Sequence, residues 1–124
     1  MSAPVPRPLR LAAFWGALLF ACVMAVLPHP PALPGAPGDK VQHVAAFATL
    51  ALLAALAYPQ ASLWRIGMRL ALLGAAIEIV QAIPALHRDC SARDWLTDAT
   101  AITIMLGLIA LSRRSARGGD APRR

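Results

Sequence analysis

Four apolar stretches alternate with short polar segments along this chain: residues 11–27, 41–57, 66–83 and 95–111. Each approaches the roughly 20 residues that a helix needs to cross a bilayer's hydrocarbon core, about 17–25 being tolerated. The pattern predicts an all-α integral membrane bundle of four transmembrane helices. Between the first two stretches, PHPPALPGAPG (residues 28–38) reads as a stiff, extended connector, because proline fixes φ and lacks an amide donor. A partial lid is the alternative for it. The turn at residues 58–62 is short, which makes the second and third helices antiparallel neighbours. Gly67, Ala71 and Ala75 form a small-residue stripe on the third helix, suited to close packing within the molecule. No internal repeat is present. The first apolar run exceeds the roughly 7–15 residues of a signal-peptide core and lacks a small-x-small cleavage site, so it reads as a retained first span.

The few polar residues near the stretches are concentrated at particular ends. Asp39, Lys40 and His43 open the second; Glu78 and Gln81 close the third; Arg88, Arg93, Asp94 and Asp98 lead into the fourth. A charge at mid-span costs roughly 2.5–3.5 kcal/mol on insertion scales, so these groups call for a reason. Asp39 and His43 are one turn apart, as are Asp94 and Asp98, while Glu78 and Gln81 share a face at three-residue spacing. With alternating spans, all of them meet at one face of the bilayer. Simple helix capping accounts for Asp39 and Asp94, but not for Glu78 or Asp98, which lie inside their helices. His43 alone would more often be a hydrogen-bonded packing residue than a catalyst. His29 and His87 receive no role, Asp89 and Arg93 read as solvated loop charges, and Arg88 can reach inward to the carboxylates.

Composition supports the membrane reading. The 124 residues are 58% hydrophobic and 15% charged, with a mean hydropathy of +0.58, too apolar for a soluble domain of this size. The net charge of +6 does not indicate nucleic acid, since no aromatic residues interleave with the basic ones and no groove-reading motif is present. It follows topology instead. Arg7 and Arg10, Arg65 and Arg69, and Arg113, Arg114, Arg117, Arg123 and Arg124 fall in three alternate segments. The positive-inside rule makes those segments, and both termini, cytoplasmic. Tyr58 and Trp64 fit the inner interfacial belt and Trp95 the outer one. The chain divides into a cytoplasmic segment at 1–10, a membrane domain at 11–111 and a basic, disordered tail at 112–124 that can touch anionic lipid. Cys22 reads as a small core residue; Cys90 lies in the outer loop at a different depth, which disfavours a disulfide.

Asp39-Lys40-Val41-Gln42-His43 followed by Phe47 resembles the D-K-x-x-H-x-x-x-F opening of the VanZ-like family of small bacterial membrane proteins. Glu78-Ile79-Val80-Gln81 resembles that family's E-x-x-Q, and Arg88, Ser91 and Asp94 its R-x-x-S-x-x-D. The three blocks occur in order over residues 38–107. Two positions depart from the family pattern: Asp98 stands where Asn is usual, and Ala101 where Gly is usual. The resemblance implies a multi-pass protein of the bacterial cytoplasmic membrane, in a family named for an association with teicoplanin resistance.

Three functions fit these residues. The favoured one is a polar pocket at the extracytoplasmic ends of helices two to four that binds or modulates an anionic lipid or cell-envelope precursor. Its ligand-binding residues are Asp39, Lys40, His43, Glu78, Gln81, Arg88, Asp94 and Asp98, with Lys40, Arg88 and His43 facing the anionic group. The second is a hydrolase or transferase for lipid-linked phosphate or glycan. There His43 is acid, base or nucleophile, Glu78 or Asp94 sets its tautomer, and Arg88 stabilises developing charge. The third is a polar cluster that only locks the helices together. A metal site from His43, Glu78, Asp94 and Asp98 matches no zinc spacing; neither a metal nor a cofactor is expected.

Overall fold

The computed structural model describes residues 3–27, 39–86 and 92–119, apart from the side chains of residues 39, 40 and 86. The sequence readings on the 28–38 connector, on residues 87–91 (including Arg88, Cys90 and Ser91) and on the last five residues lie outside it. Among the described residues the chain is all-helical: α1 Arg7–Val26, α2 Asp39–Ala57, α3 Leu63–Gln81, a 3-10 turn at Pro84–Leu86, and α4 Ala92–Gly119.

Local chemistry sets these bounds. Pro6 and Pro8 open α1, where a missing amide proton costs nothing and a fixed φ favours the helix. At its other end, Leu27 turns extended, as a residue preceding proline must. Ser62 starts α3 with Oγ accepting from the Arg65 amide at 3.1 Å, a side-chain cap. α3 stops before Pro84, whose ring has no place in a continuing helix. α4 runs on to Gly119, through residues 112–119, which the sequence pattern assigned to a disordered tail. Ser112-Arg113-Arg114-Ser115-Ala116-Arg117 contains no helix breaker, and cations in the last turns complement the negative end of the helix dipole.

The helices run up and down in turn, with contacts at both ends. α2 packs most extensively on α4, then come α3 against α4 and α1 against α2, while α2 and α3, the antiparallel neighbours joined by the short turn, touch less. A core of Leu50, Ala51, Ala54, Ile66, Leu70, Ile102 and Leu106 fills the middle, with Phe14 reaching it from α1. At one end, Arg10 Nη1 donates to the Leu56 carbonyl at 2.6 Å and Arg113 Nη2 to the Ala55 carbonyl at 3.5 Å. Two arginines from flanking helices thus satisfy carbonyls in the last turn of α2, which carries the helix's partial negative charge. At the same end, Trp15 Nε1 donates to Tyr58 Oη at 2.9 Å.

On α3, Gly67 of the small-residue stripe and Gly74, which the stripe did not include, both pack within the molecule. A Cβ at Gly67 would meet Leu106 Cδ1 at 3.0 Å, and one at Gly74 would meet Phe47 Cζ and Trp95 Cδ1 at 3.4 Å. The half-buried Trp95 lays its indole against Gly74 and donates to the Ala71 carbonyl at 2.9 Å. Cys22 is half-buried on α1 rather than in the core.

Polarity is inverted relative to a soluble bundle. Leu19, Leu72, Ile79 and Trp64 are 67%, 64%, 72% and 76% exposed, whereas Glu78, Gln81 and Asp98 are 6%, 2% and 2% exposed. α1 and α4 are each long and apolar enough to cross a membrane, and the apolar part of α2, Val41–Ala57, is shorter.

Candidate functional site

Three helices each deliver one chemically capable side chain to a common point. His43 stands one turn into α2, Asp98 on the second turn of α4, and Glu78 on the last turn of α3. One donor atom from each lies within 4.8 Å of the other two. His43 Nδ1 is 3.2 Å from Asp98 Oδ1 and 3.5 Å from Oδ2. A carboxylate has no proton to give, so with Asp98 ionised Nδ1 carries the proton and Nε2 becomes the basic nitrogen. Asp98 and Glu78 are buried, while His43 is half-buried. The His43 ring thus forms the accessible side of the cluster.

The backbone places these groups. α2 and α4 run parallel in close contact, so His43 and Asp98 face each other at similar depth. α3 runs antiparallel to α4 and brings Glu78 in from its C-terminal end, over the gap that Gly74 leaves for Phe47 and Trp95. Phe47, one turn below His43 on α2, is 4% exposed, with its ring against Gly74. The amino ends of α2 and α4 both lie at this end of the bundle, and their partial positive charges favour anionic side chains in their first turns.

The predicted site residues divide into three groups. His43, Glu78 and Asp98 come together. Asp94 lies in the first turn of α4, one turn from Asp98, and is near enough to His43 to act on it electrostatically. It is the third residue of α4 and does not occupy the capping position before it. Gln81 is at the same end of the bundle but serves another contact: its Nε2 donates to the Ala25 carbonyl at 2.9 Å, tying α3 to α1. The side chains of Asp39 and Lys40, and all of Arg88, lie outside the described residues. The group on the imidazole is Asp98, where the sequence reading gave that part to Glu78 or Asp94. Helical spacing places residues on faces, but the pairing across α2 and α4 depends on their relative rotation.

A cleft of about 360 Å³ adjoins the cluster, within the roughly 300–1,000 Å³ of small-molecule sites. Ala17 and Ala21 of α1 oppose Ala45 and Ala46 of α2, and this smallness opens the space; Ile77 of α3 closes its back and His43 stands in its wall. Sequence reasoning did not find the cleft. Its only trace was alanine on two helices, which is also the commonest helix former.

Comparison with family models, with curated proteins and with solved structures finds no match.

Proposed function

We propose that the chain is a four-span protein of the bacterial cytoplasmic membrane, both termini cytoplasmic, that binds or modulates an anionic lipid or lipid-linked envelope precursor. The inverted polarity supports the membrane placement. Hydrocarbon leaves no polar group a water partner, so hydroxyls facing it must be satisfied internally. Thr97, Thr100 and Thr103 do this, each donating to the carbonyl four residues back at 2.7–2.9 Å. The arginines at the opposite end from the acidic cluster agree with the positive-inside rule.

The observation that carries the ligand reading is the apolar cleft with His43 in its wall. An acyl or polyprenyl chain fits the alanine-lined space between α1 and α2, and its head group then lies beside His43. Lys40, three residues before His43, and Arg88, in the segment between Glu78 and Asp98, supply the cations that an anionic head group needs. The three motifs shared with the VanZ-like family support the same assignment, since their residues include His43 and Glu78. The alternative of a hydrolase or transferase gains one specific support. An imidazole hydrogen-bonded to a buried carboxylate, with its other nitrogen available, is the arrangement of a general base.

The test is lipid analysis of the full-length protein purified in mild detergent, comparing wild type with Ala46→Phe, which fills the cleft, and Arg88→Ala, which removes a head-group cation. An anionic lipid enriched over its bulk-membrane share in wild type, and lost from both variants while they stay monodisperse, is the expected result. A wild-type profile equal to that of the bulk membrane overturns the reading.

A further inference from the structure

The geometry points to a divalent transition-metal site formed by His43, Glu78 and Asp98, of which His43 also lines the cleft. This inference does not depend on the lipid reading, because it rests on the donor set alone.

The donor types are right. One imidazole nitrogen and two carboxylate oxygens make a mixed set that suits zinc, manganese or ferrous iron, whereas magnesium and calcium take oxygen ligands almost entirely. A three-residue set leaves coordination positions for water or for a ligand oxygen, as in catalytic zinc sites, which pair three protein ligands with an open position.

The spacing is right as well. Bonds of about 2.0–2.1 Å at tetrahedral angles put neighbouring ligand atoms roughly 3.3 Å apart. The Nδ1–Oδ1 distance is 3.2 Å, and a Glu78 oxygen completes the set within 4.8 Å. The ligands come from three helices, α2, α3 and α4, so they are held by the bundle and not by one flexible loop. No HExxH or paired-cysteine motif marks such a site in sequence, which is why spacing along the chain gave no sign of it.

The surroundings suit a cation. Two buried carboxylates within 4.8 Å of one another repel, and a dication bound between them and a neutral imidazole gives a group of zero net charge. Binding at Nδ1 shifts the imidazole to the tautomer with its proton on Nε2, and the Asp98 oxygen that accepted the Nδ1 proton becomes a ligand in its place.

The experiment uses the full-length protein in detergent, stripped with chelator and dialysed against zinc or manganese, with bound metal counted by mass spectrometry. Cobalt is added separately for its visible spectrum. Wild type is expected to retain one equivalent and to give cobalt bands far stronger than those of the hexaaqua ion. Glu78→Gln and Asp98→Asn, which keep size, should each weaken binding by about 100-fold or more, beyond the roughly 10–100-fold lost with outer-shell partners. His43→Ala should do the same. Wild type without a stoichiometric ion, or variants that bind as tightly as wild type, overturns the site. If the variants lose their fold, the wild-type cobalt spectrum still decides: weak octahedral bands of aquo type refute coordination by this set. Lipid enrichment with no metal would refute this site and leave the lipid reading standing, and the reverse result would do the opposite.

Discussion

Asp98 gives the sharpest test of the cluster, because asparagine and alanine at this position remove different things. Asp98 is 2% exposed and accepts from His43 Nδ1 at 3.2 Å. Asparagine keeps the shape and an acceptor oxygen but discards the charge. A hydrogen bond to a charged group is worth roughly 1.5–3 kcal/mol against about 1 for a neutral one, so the exchange weakens this bond by about 1 kcal/mol. Against that stands the repulsion from Glu78. Two ionised carboxylates at 4.8 Å, the outer limit of the spacing in this cluster, repel by about 3.5 kcal/mol at an effective dielectric of 20. Asp98→Asn is therefore expected to melt at or above wild type in chelator, by up to about 2 kcal/mol. Asp98→Ala gains the same relief but leaves the imidazole N–H without its acceptor, at about 1–3 kcal/mol, and opens a small cavity besides. The alanine variant should thus lie about 2–4 kcal/mol below the asparagine variant. The assay is thermal unfolding in detergent, read as surviving monodisperse protein against temperature, with and without zinc. Because unfolding of such proteins is commonly irreversible, the rank order carries the test. Zinc should raise wild type above Asp98→Asn, since only a state that binds gains stability. Alanine equal to asparagine would refute the hydrogen bond, and asparagine far below wild type in chelator would refute the repulsion.

Other outcomes follow from single contacts. Gln81→Leu should cost about 1–3 kcal/mol by leaving the Ala25 carbonyl without its donor, and should loosen α1 before the rest, read as faster protease cleavage near residue 27. Trp95→Phe keeps an aromatic ring against Gly74 but loses the donor to Ala71, for about 1 kcal/mol in thermal unfolding. Gly74→Ala should be tolerated, since its Cβ meets Phe47 and Trp95 at 3.4 Å, whereas Gly74→Leu overpacks the contact by about 1–3 kcal/mol and should lower both melting and accumulation. Reporter fusions at Gly35 and Cys90 should read as extracytoplasmic and one at the C-terminus as cytoplasmic; a cytoplasmic signal from Cys90 would overturn the four-span topology.

The sequence made some of this legible and hid the rest for physical reasons. Glu78 and Asp98 stood out because a carboxylate inside an apolar helix is costly and needs a partner. The partner itself was not legible. Whether His43 meets Asp98, Asp94 or Glu78 depends on how far α2 and α4 are rotated about their axes, and one residue of register turns a side chain by about 100°. Gln81 misled because its acceptor is a backbone carbonyl on α1, and a carbonyl leaves no mark in the sequence. The contact of Trp95 was equally hidden: an indole near a helix start fits a membrane interface, and spacing does not show that it lies against Gly74 and donates to the Ala71 carbonyl. At the far end, the arginines of 112–119 suggested a solvated tail, yet arginine is a good helix former and favours a helix C-terminus.

The two ends of the bundle are built from the same electrostatic rule applied with opposite sign. At the end where α2 finishes, exposed carbonyls carry partial negative charge, and Arg10 and Arg113 answer them from neighbouring helices. At the other end α2 and α4 begin, so partial positive charge faces the cluster, and Asp94 and Asp98 of α4 answer it. Capping alone needs one carboxylate per helix start, in the first turn. Asp98 lies a turn deeper, and Glu78 comes from a helix whose C-terminal dipole disfavours an acid there. Capping does not call for Asp98 at that depth, and Glu78 works against its local field, so helix stability does not explain the two placements. They are explained if the space between them and His43 must hold something positive, and the Asp98→Asn and Glu78→Gln variants ask that question directly. Each removes one negative charge without changing side-chain size, so a cluster present only for packing keeps or gains stability and loses nothing else. A cluster present for a cation keeps its fold and loses the ion.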